Sequence, residues 1–236
     1  MKTIVVKLGG SMISKSEDKM VDFEYLAKFK AVVEEAISND VKLFVVLGGG
    51  YLMRKYRDLA KVGGIKEDMQ LHWIGTTVNV LHAEIVRAYM HELCNERIAA
   101  YEDYYDEKKM AFEEGKNVIV GGGESAGHSG DVDALLAAKK LGVDTIISLK
   151  DVDGVYTADP DKDPDATRLD KVSWDEYFEI IGGKTKHEPG GNYPVDPVAS
   201  KKAQEAGKKF IVMAGEDLES FKNALLGKEY VGTLVS

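Results

Sequence analysis

Lys7 is followed at once by Leu8-Gly9-Gly10-Ser11, which puts an ammonium group and glycine amides where one anion could meet them all. Glycine lets backbone N–H groups come close to a ligand. A neighbouring lysine can neutralise charge that develops on a phosphoryl group in transfer. Alone, a strand running into Gly-Gly also reads as a tight turn. Gly48-Gly49-Gly50 is a second such place, with Arg54 one turn into the segment that follows. The guanidinium of Arg54 can grip a phosphate through paired N–H groups, whereas Lys55 and Arg57 read equally as a solvated basic face. In a third, Gly121-Gly122-Gly123 continues through Gly127-His128-Ser129-Gly130-Asp131 into a helix. The free amides at that helix start would attract an anion, and Ser129 or Asp131 could cap it.

A fourth segment, Asp151-Val152-Asp153-Gly154-Val155-Tyr156-Thr157-Ala158-Asp159-Pro160, is the most specific. Acidic and apolar residues alternate around a glycine turn, so an aromatic ring and carboxylates can surround a base and a ribose before Asp-Pro ends the run. No G-x-x-x-x-G-K-[ST] loop and no H-R-D set occurs in the chain. Phosphoryl transfer would therefore need a different frame from those two.

The elements that must hold these residues follow from the apolar pattern. Strand-length apolar runs at 3–8, 43–47, 117–120, 145–149 and 209–213 alternate with helical spacing over 22–38, 71–93 and 131–141. Such alternation predicts an α/β fold, a three-layer αβα sandwich with a mainly parallel central sheet, and a ligand site outside the carboxyl ends of the strands. The glycines fall at those ends, so a shared site is expected there. The helix over 71–93 could line a pocket or an oligomer interface. Residues 158–170 and 182–197, rich in Asp, Gly and Pro, read as loops, either mobile ones near a site or plain surface.

The 236 residues suit one domain, or two lobes packed closely together, and 44% hydrophobic beside 30% charged residues excludes a disordered chain. A formal charge of −9 gives no general reason to bind a nucleic acid polymer, so an anionic ligand has to be held locally. Cys94 is the single cysteine, which suits a reducing, cytoplasmic setting. The apolar N-terminal run is broken by Lys7 and is too short for a signal-peptide core or a membrane span.

In order, KLGGS, LGGG, the GHSGD helix start and DVDGVYTADP resemble the amino acid kinase family, which includes acetylglutamate, aspartate, isopentenyl phosphate and UMP kinases. The resemblance spans the whole chain. Gly48-Gly49-Gly50 with Arg54, Trp73-Ile74-Gly75, Gly127-His128 before Asp131, Val195-Asp196-Pro197 with Ala199, and Val231-Gly232-Thr233 are most similar to its UMP kinase branch. The resemblance implies ATP and Mg²⁺ as cofactors, with the metal carried by ATP rather than by a protein site. It implies a small anionic acceptor, a homo-oligomer such as a hexamer, an acceptor lobe near 1–143 and a nucleotide lobe near 144–236. Lys7, Asp131 and Asp196 would be catalytic. Gly9, Gly10, Lys150, Asp151, Asp153, Gly154, Tyr156 and Asp159 would bind ATP, and Gly49, Gly50, Arg54, His72, His128, Ser129 and Gly130 the acceptor.

Five positions depart from that branch. His72 stands where an aspartate is usual, Ser129-Gly130-Asp131 replaces Thr-Thr-Asp, His82 replaces an asparagine, and Lys150 replaces a threonine. Two further expectations follow: a kinase for another small phosphate or acid such as isopentenyl phosphate, or, since Lys150-Asp151 also resembles molybdenum storage proteins, an ATP-binding store of metal oxyanions. The five histidines, His72, His82, His91, His128 and His187, could serve an oxyanion cavity or be ordinary hydrogen-bonded residues.

Overall fold

The computed structural model describes residues 1–160, 162–184, 186 and 193–236. His187 and the middle of the expected 182–197 loop lie outside the described residues. The strands are β1 (Lys2–Leu8), β2 (Val41–Leu47), β3 (Val118–Gly121), β4 (Thr145–Lys150), β5 (Val155–Tyr156), β6 (Arg168–Leu169), β7 (Lys171–Val172), β8 (Lys209–Ala214) and β9 (Thr233–Val235). The α-helices are α1 (Gly10–Ile13), α2 (Phe23–Ser38), α3 (Gly50–Val62), α4 (Asp68–Tyr89), α5 (Gly130–Lys140), α6 (Trp174–Ile180), α7 (Pro197–Glu205) and α8 (Leu218–Leu225).

Seven strands form one sheet in the order β3-β2-β1-β4-β8-β9-β7. β3, β2, β1, β4 and β8 are parallel to one another, and β9 then runs antiparallel to β8. The chain steps outward from β1 to β2 and β3, then returns to place β4 on the other side of β1. That reversal opens a crevice at the carboxyl ends of β1 and β4, where open α/β sheets hold their ligands.

Side chains alternate between the faces of a strand, and this parity places the site. Ile4, Val6 and Leu8 of β1 join Ile147 and Leu149 of β4 in a core under α2, α4 and α8. Val5 and Ile146 join the opposite core, under α5, α6 and α7. Lys7 and Lys150 share the parity of Val5 and Ile146, so both ammonium groups emerge on the α5 side, from neighbouring strands. Burial on both faces is what gives the inner strands unbroken apolar runs.

The 158–170 segment is not loop throughout. β5 and β6 pair antiparallel through Val155–Leu169 and Tyr156–Arg168, so the Asp- and Pro-rich residues form the tip of a hairpin. No helix among the described residues is long and apolar enough to cross a membrane.

Candidate active site

Asp131 is the hub of the crevice. Its carboxylate lies 3.0 Å from Lys150 Nζ and 3.7 Å from Lys7 Nζ, and it accepts the Asp196 amide at 3.0 Å. The Asp131 side chain is only 3% exposed and each lysine side chain 12%. Burial, followed by the second ammonium of Lys150, pushes the Lys7 pKa down to about 8, against the pull of Asp131. Burial alone would raise the Asp131 carboxyl, but Lys150 and Lys7, with the Asp196 amide, outweigh it and hold it at about 2. One carboxylate thus serves two cations, and the crevice is set to receive an anion.

Local sequence explains the placement. Ser129 caps α5, its Oγ accepting the Asp131 amide at 3.3 Å, which leaves the Asp131 carboxylate for the lysines. Asp196 caps α7, accepting the Val198 and Ala199 amides at 2.9 and 3.1 Å, with Pro197 at the first helical position. The helix cap fixes Asp196, and the Asp196 amide in turn fixes Asp131.

The glycine loops have a second explanation beside ligand approach. A Cβ on Gly10 would lie 2.0 Å from the Gly50 amide nitrogen, and one on Gly50, whose φ is +55°, would lie 2.2 Å from the Gly10 carbonyl oxygen. The turns after β1 and β2 therefore interlock backbone to backbone. Ser14 takes the next two amides of α3, its carbonyl accepting Tyr51 N at 2.8 Å and its Oγ accepting Leu52 N at 3.0 Å. Gly49 caps this helix and Arg54 lies exposed one turn along it. Gly130 differs from these glycines. A Cβ there would meet nothing closer than 3.6 Å, with Lys7 Cε at 3.8 Å, so packing does not demand glycine beside the lysine.

A cleft of about 440 Å³ opens beside Lys150, lined by Asp151, Gly154, Tyr156, Asp159 and Lys184 among others. Asp153 turns aside, accepting the Tyr156 hydroxyl at 2.9 Å and lying 3.8 Å from Arg168. It acts on the cleft by fixing the Tyr156 ring. Another cleft of about 410 Å³ touches Lys2, Thr3 and Asp144, where β1 and β4 begin. It is at the wrong end of the strands for this chemistry.

On the other side, α4 covers the 122–128 turn. Thr76 Oγ donates to the carbonyls of His72 at 3.0 Å and Ser125 at 3.4 Å, linking the half-buried His72 turn to that segment. His128 lies 2.9 Å from Glu124 Oε2 and 3.5 Å from Asp133 Oδ1. His82 is fully buried, with Nδ1 2.8 Å from the Gly48 carbonyl, so it donates there and supports the second glycine turn. Burial lowers its pKa below 6.5. The unfolded chain then takes up the proton first, and His82 costs the fold stability as pH falls through and below 6.5. Urea midpoints taken from about pH 7.5 to about pH 5.5 should therefore drop further for wild type than for His82→Asn, which cannot titrate.

The amino acid kinase family model matches residues 2–214. The chain belongs to the amino acid kinase family. Relatives within it include a uridylate kinase of Methanoculleus marisnigri, 33% identical over all of this chain and 96% of its own length. A uridylate kinase of Thermococcus kodakarensis is 32% identical over 98% of each chain. The crystal structure of uridylate kinase from Archaeoglobus fulgidus superposes with a TM-score of 0.80 at 28% identity, covering all of both chains.

For this amino acid kinase family member, the structure brings Lys7, Asp131, Lys150 and the Asp196 amide into direct contact, and sets Gly9 beside them through a 2.9 Å bond to Leu149 O. Ser14, Glu124 and Asp133 stand outside the residues that the sequence motifs mark. Ser14 has no motif to mark it. Asp133, two residues beyond Asp131, could have been noticed as a second aspartate in the first turn of α5, but its burial could not.

Proposed function

We propose that this chain transfers the γ-phosphoryl group of ATP to UMP, giving UDP and ADP. The Lys7–Asp131–Lys150 constellation at the switch point of the sheet carries this reading, and the uridylate kinases matched over full length supply the acceptor. ATP occupies the cleft beside Lys150, with Tyr156, Asp151, Gly154 and Asp159 around the nucleoside, in the lobe near 144–236. UMP lies in the lobe near 1–143, against Gly49, Gly50 and Arg54 on one side and His72, His128, Ser129 and Gly130 on the other. The residues fit Mg²⁺ carried on the phosphates: Asp131 Oδ1, buried and accepting no hydrogen bond, lies 3.7 Å from Lys7 Nζ and would face the hydrated ion beside that lysine. The metal supplies neutralisation of phosphate charge. Lys7 and the Gly10 amide bind and orient the transferred group, the Gly9 amide being held by Leu149 O; Lys150 holds the donor phosphates, and Asp131 is the counter-charge that the two ammonium groups share. Positioning and charge are enough, because phosphoryl transfer asks little covalent chemistry of the protein.

A coupled assay of ADP release with UMP, CMP, dUMP, isopentenyl phosphate, aspartate and acetylglutamate tests the acceptor. Turnover is expected to be fastest with UMP. Turnover with another acceptor and none with UMP would contradict the assignment, and molybdate or tungstate retained without turnover would point to oxyanion storage. The pH profile carries a separate expectation. With Lys7 near 8 in the free enzyme, kcat/KM should fall as pH rises through about 8, and Lys7→Arg, permanently charged, should lose that limb.

The chain functions as a cytoplasmic homo-oligomer, a hexamer in our reading. Leu59, Val62, Met69 and Trp73 are exposed apolar residues on α3 and α4, and a subunit contact there would cover them.

A further inference from the structure

We propose that Glu124, His128 and Asp133 bind one divalent transition-metal ion, with Zn²⁺ the best fit, between the 122–128 turn and the first turn of α5. This ion is distinct from any carried by ATP. One donor atom from each residue lies within 4.8 Å of the others. Donors on a tetrahedral ion at about 2.0–2.1 Å sit about 3.4 Å apart, so an inward shift of about an ångström completes the set.

Asp133 has one oxygen held by the protein and one turned to the imidazole, while both Glu124 oxygens accept hydrogen bonds. The Tyr105 hydroxyl donates to Glu124 Oε1 at 2.6 Å, and the Gly123 amide donates to Asp133 Oδ2 at 2.9 Å. Asp133 Oδ1 lies 3.5 Å from His128 Nδ1 and Glu124 Oε2 lies 2.9 Å from the other ring nitrogen, Nε2, so one nitrogen would hold the ion and the carboxylate beside the other would shift to reach it. Ser125 Oγ also donates to Glu124 Oε2, at 2.8 Å. Outer donors of this kind orient the ligands of a metal site.

Asp133 is the independent pointer to a cation. The residue is 2% exposed, and its Oδ1 accepts no hydrogen bond. Leaving a carboxylate oxygen buried in that state is costly unless a cation reaches it. A dication compensates both carboxylates. Two carboxylates, one imidazole and no thiolate suit Zn²⁺, Mn²⁺ or Co²⁺ rather than Cu(I). The imidazole disfavours Mg²⁺, which takes oxygen ligands. The ion would pin the 122–128 turn to the start of α5, the helix that carries Asp131.

Full-length protein stripped with chelator and free of ATP is dialysed against limiting Zn²⁺, then assayed for bound metal and thermal unfolding. Wild type is expected to retain one Zn²⁺ per chain with a raised Tm, and Co²⁺ in its place should show inner-sphere d–d bands. Asp133→Asn and Glu124→Gln should each weaken binding at least about tenfold and remove the Co²⁺ bands, while His91→Ala, at an exposed histidine, should match wild type. If Asp133→Asn fails to fold, Glu124→Gln decides the matter. Zn²⁺ retained equally by Glu124→Gln and wild type, no stoichiometric Zn²⁺ in wild type, or retention of Mg²⁺ but not Zn²⁺ would overturn the proposal.

Discussion

Lys7→Met should cut kcat with ATP and UMP by about 10²–10³-fold while leaving the protein folded, the loss that follows removal of one preorganised charge-stabilising donor from a water-excluded site. Methionine keeps the unbranched shape of lysine, one heavy atom shorter and without its charge. The fold already disfavours the Lys7 ammonium, which burial and Lys150 push down to about 8 from 10.5, so the neutral side chain relieves a cost. Asp131 keeps its partner at 3.0 Å, since Lys150 remains. The expected signature is therefore a split: turnover falls steeply while the urea midpoint holds or rises. A parallel fall in both would mean that Lys7 serves the fold rather than the reaction.

Asp131→Asn should do the opposite, damaging stability and turnover together. Asparagine keeps the shape but leaves Lys7 and Lys150 facing each other with no shared counter-charge. Removing one partner from a buried ionic group costs about 3–5 kcal/mol at neutral pH. The sign with pH can be worked out. Because the folded pKa, about 2, is below the ordinary 3.8, the carboxylate's contribution is fully present above 3.8 and is lost as pH falls towards 2. The stability gap between wild type and Asp131→Asn should thus be widest near neutrality and close below pH 3.8. Without Asp131, the Lys7 pKa should drop further, moving the alkaline limb of kcat/KM below about 8. Chemical denaturation across this range, paired with kcat/KM profiles, reads both effects.

The inner sheet was legible because parallel strands buried on both faces leave continuous apolar runs, and β1, β2, β3, β4 and β8 all coincide with such runs to within a few residues. The two- and three-residue strands β5, β6, β7 and β9 left no such trace. Lys7 and Asp131 could be read from their motifs, but not their contact, which requires knowing that β4 returns beside β1. Once that order is known, strand parity alone puts Lys150 on the same face as Lys7. The glycine runs imply room for a ligand, yet Gly10 and Gly50 are also fixed by each other, a tertiary contact between turns about forty residues apart in sequence. Glu124, His128 and Asp133 belong to a turn and a helix whose side chains meet only after the turn folds back over α5. No periodic spacing could have shown that convergence.

Phosphoryl transfer to UMP at Lys7 and Asp131 is the proposed reaction. Incubation of the protein with ATP labelled in its γ-phosphate, Mg²⁺ and UMP, followed by separation of the nucleotides, tests it most directly. Label is expected in the β-position of UDP with wild type, and to be largely absent with Lys7→Met. Full label transfer by Lys7→Met, or no transfer to UMP by folded wild-type protein, would contradict the account.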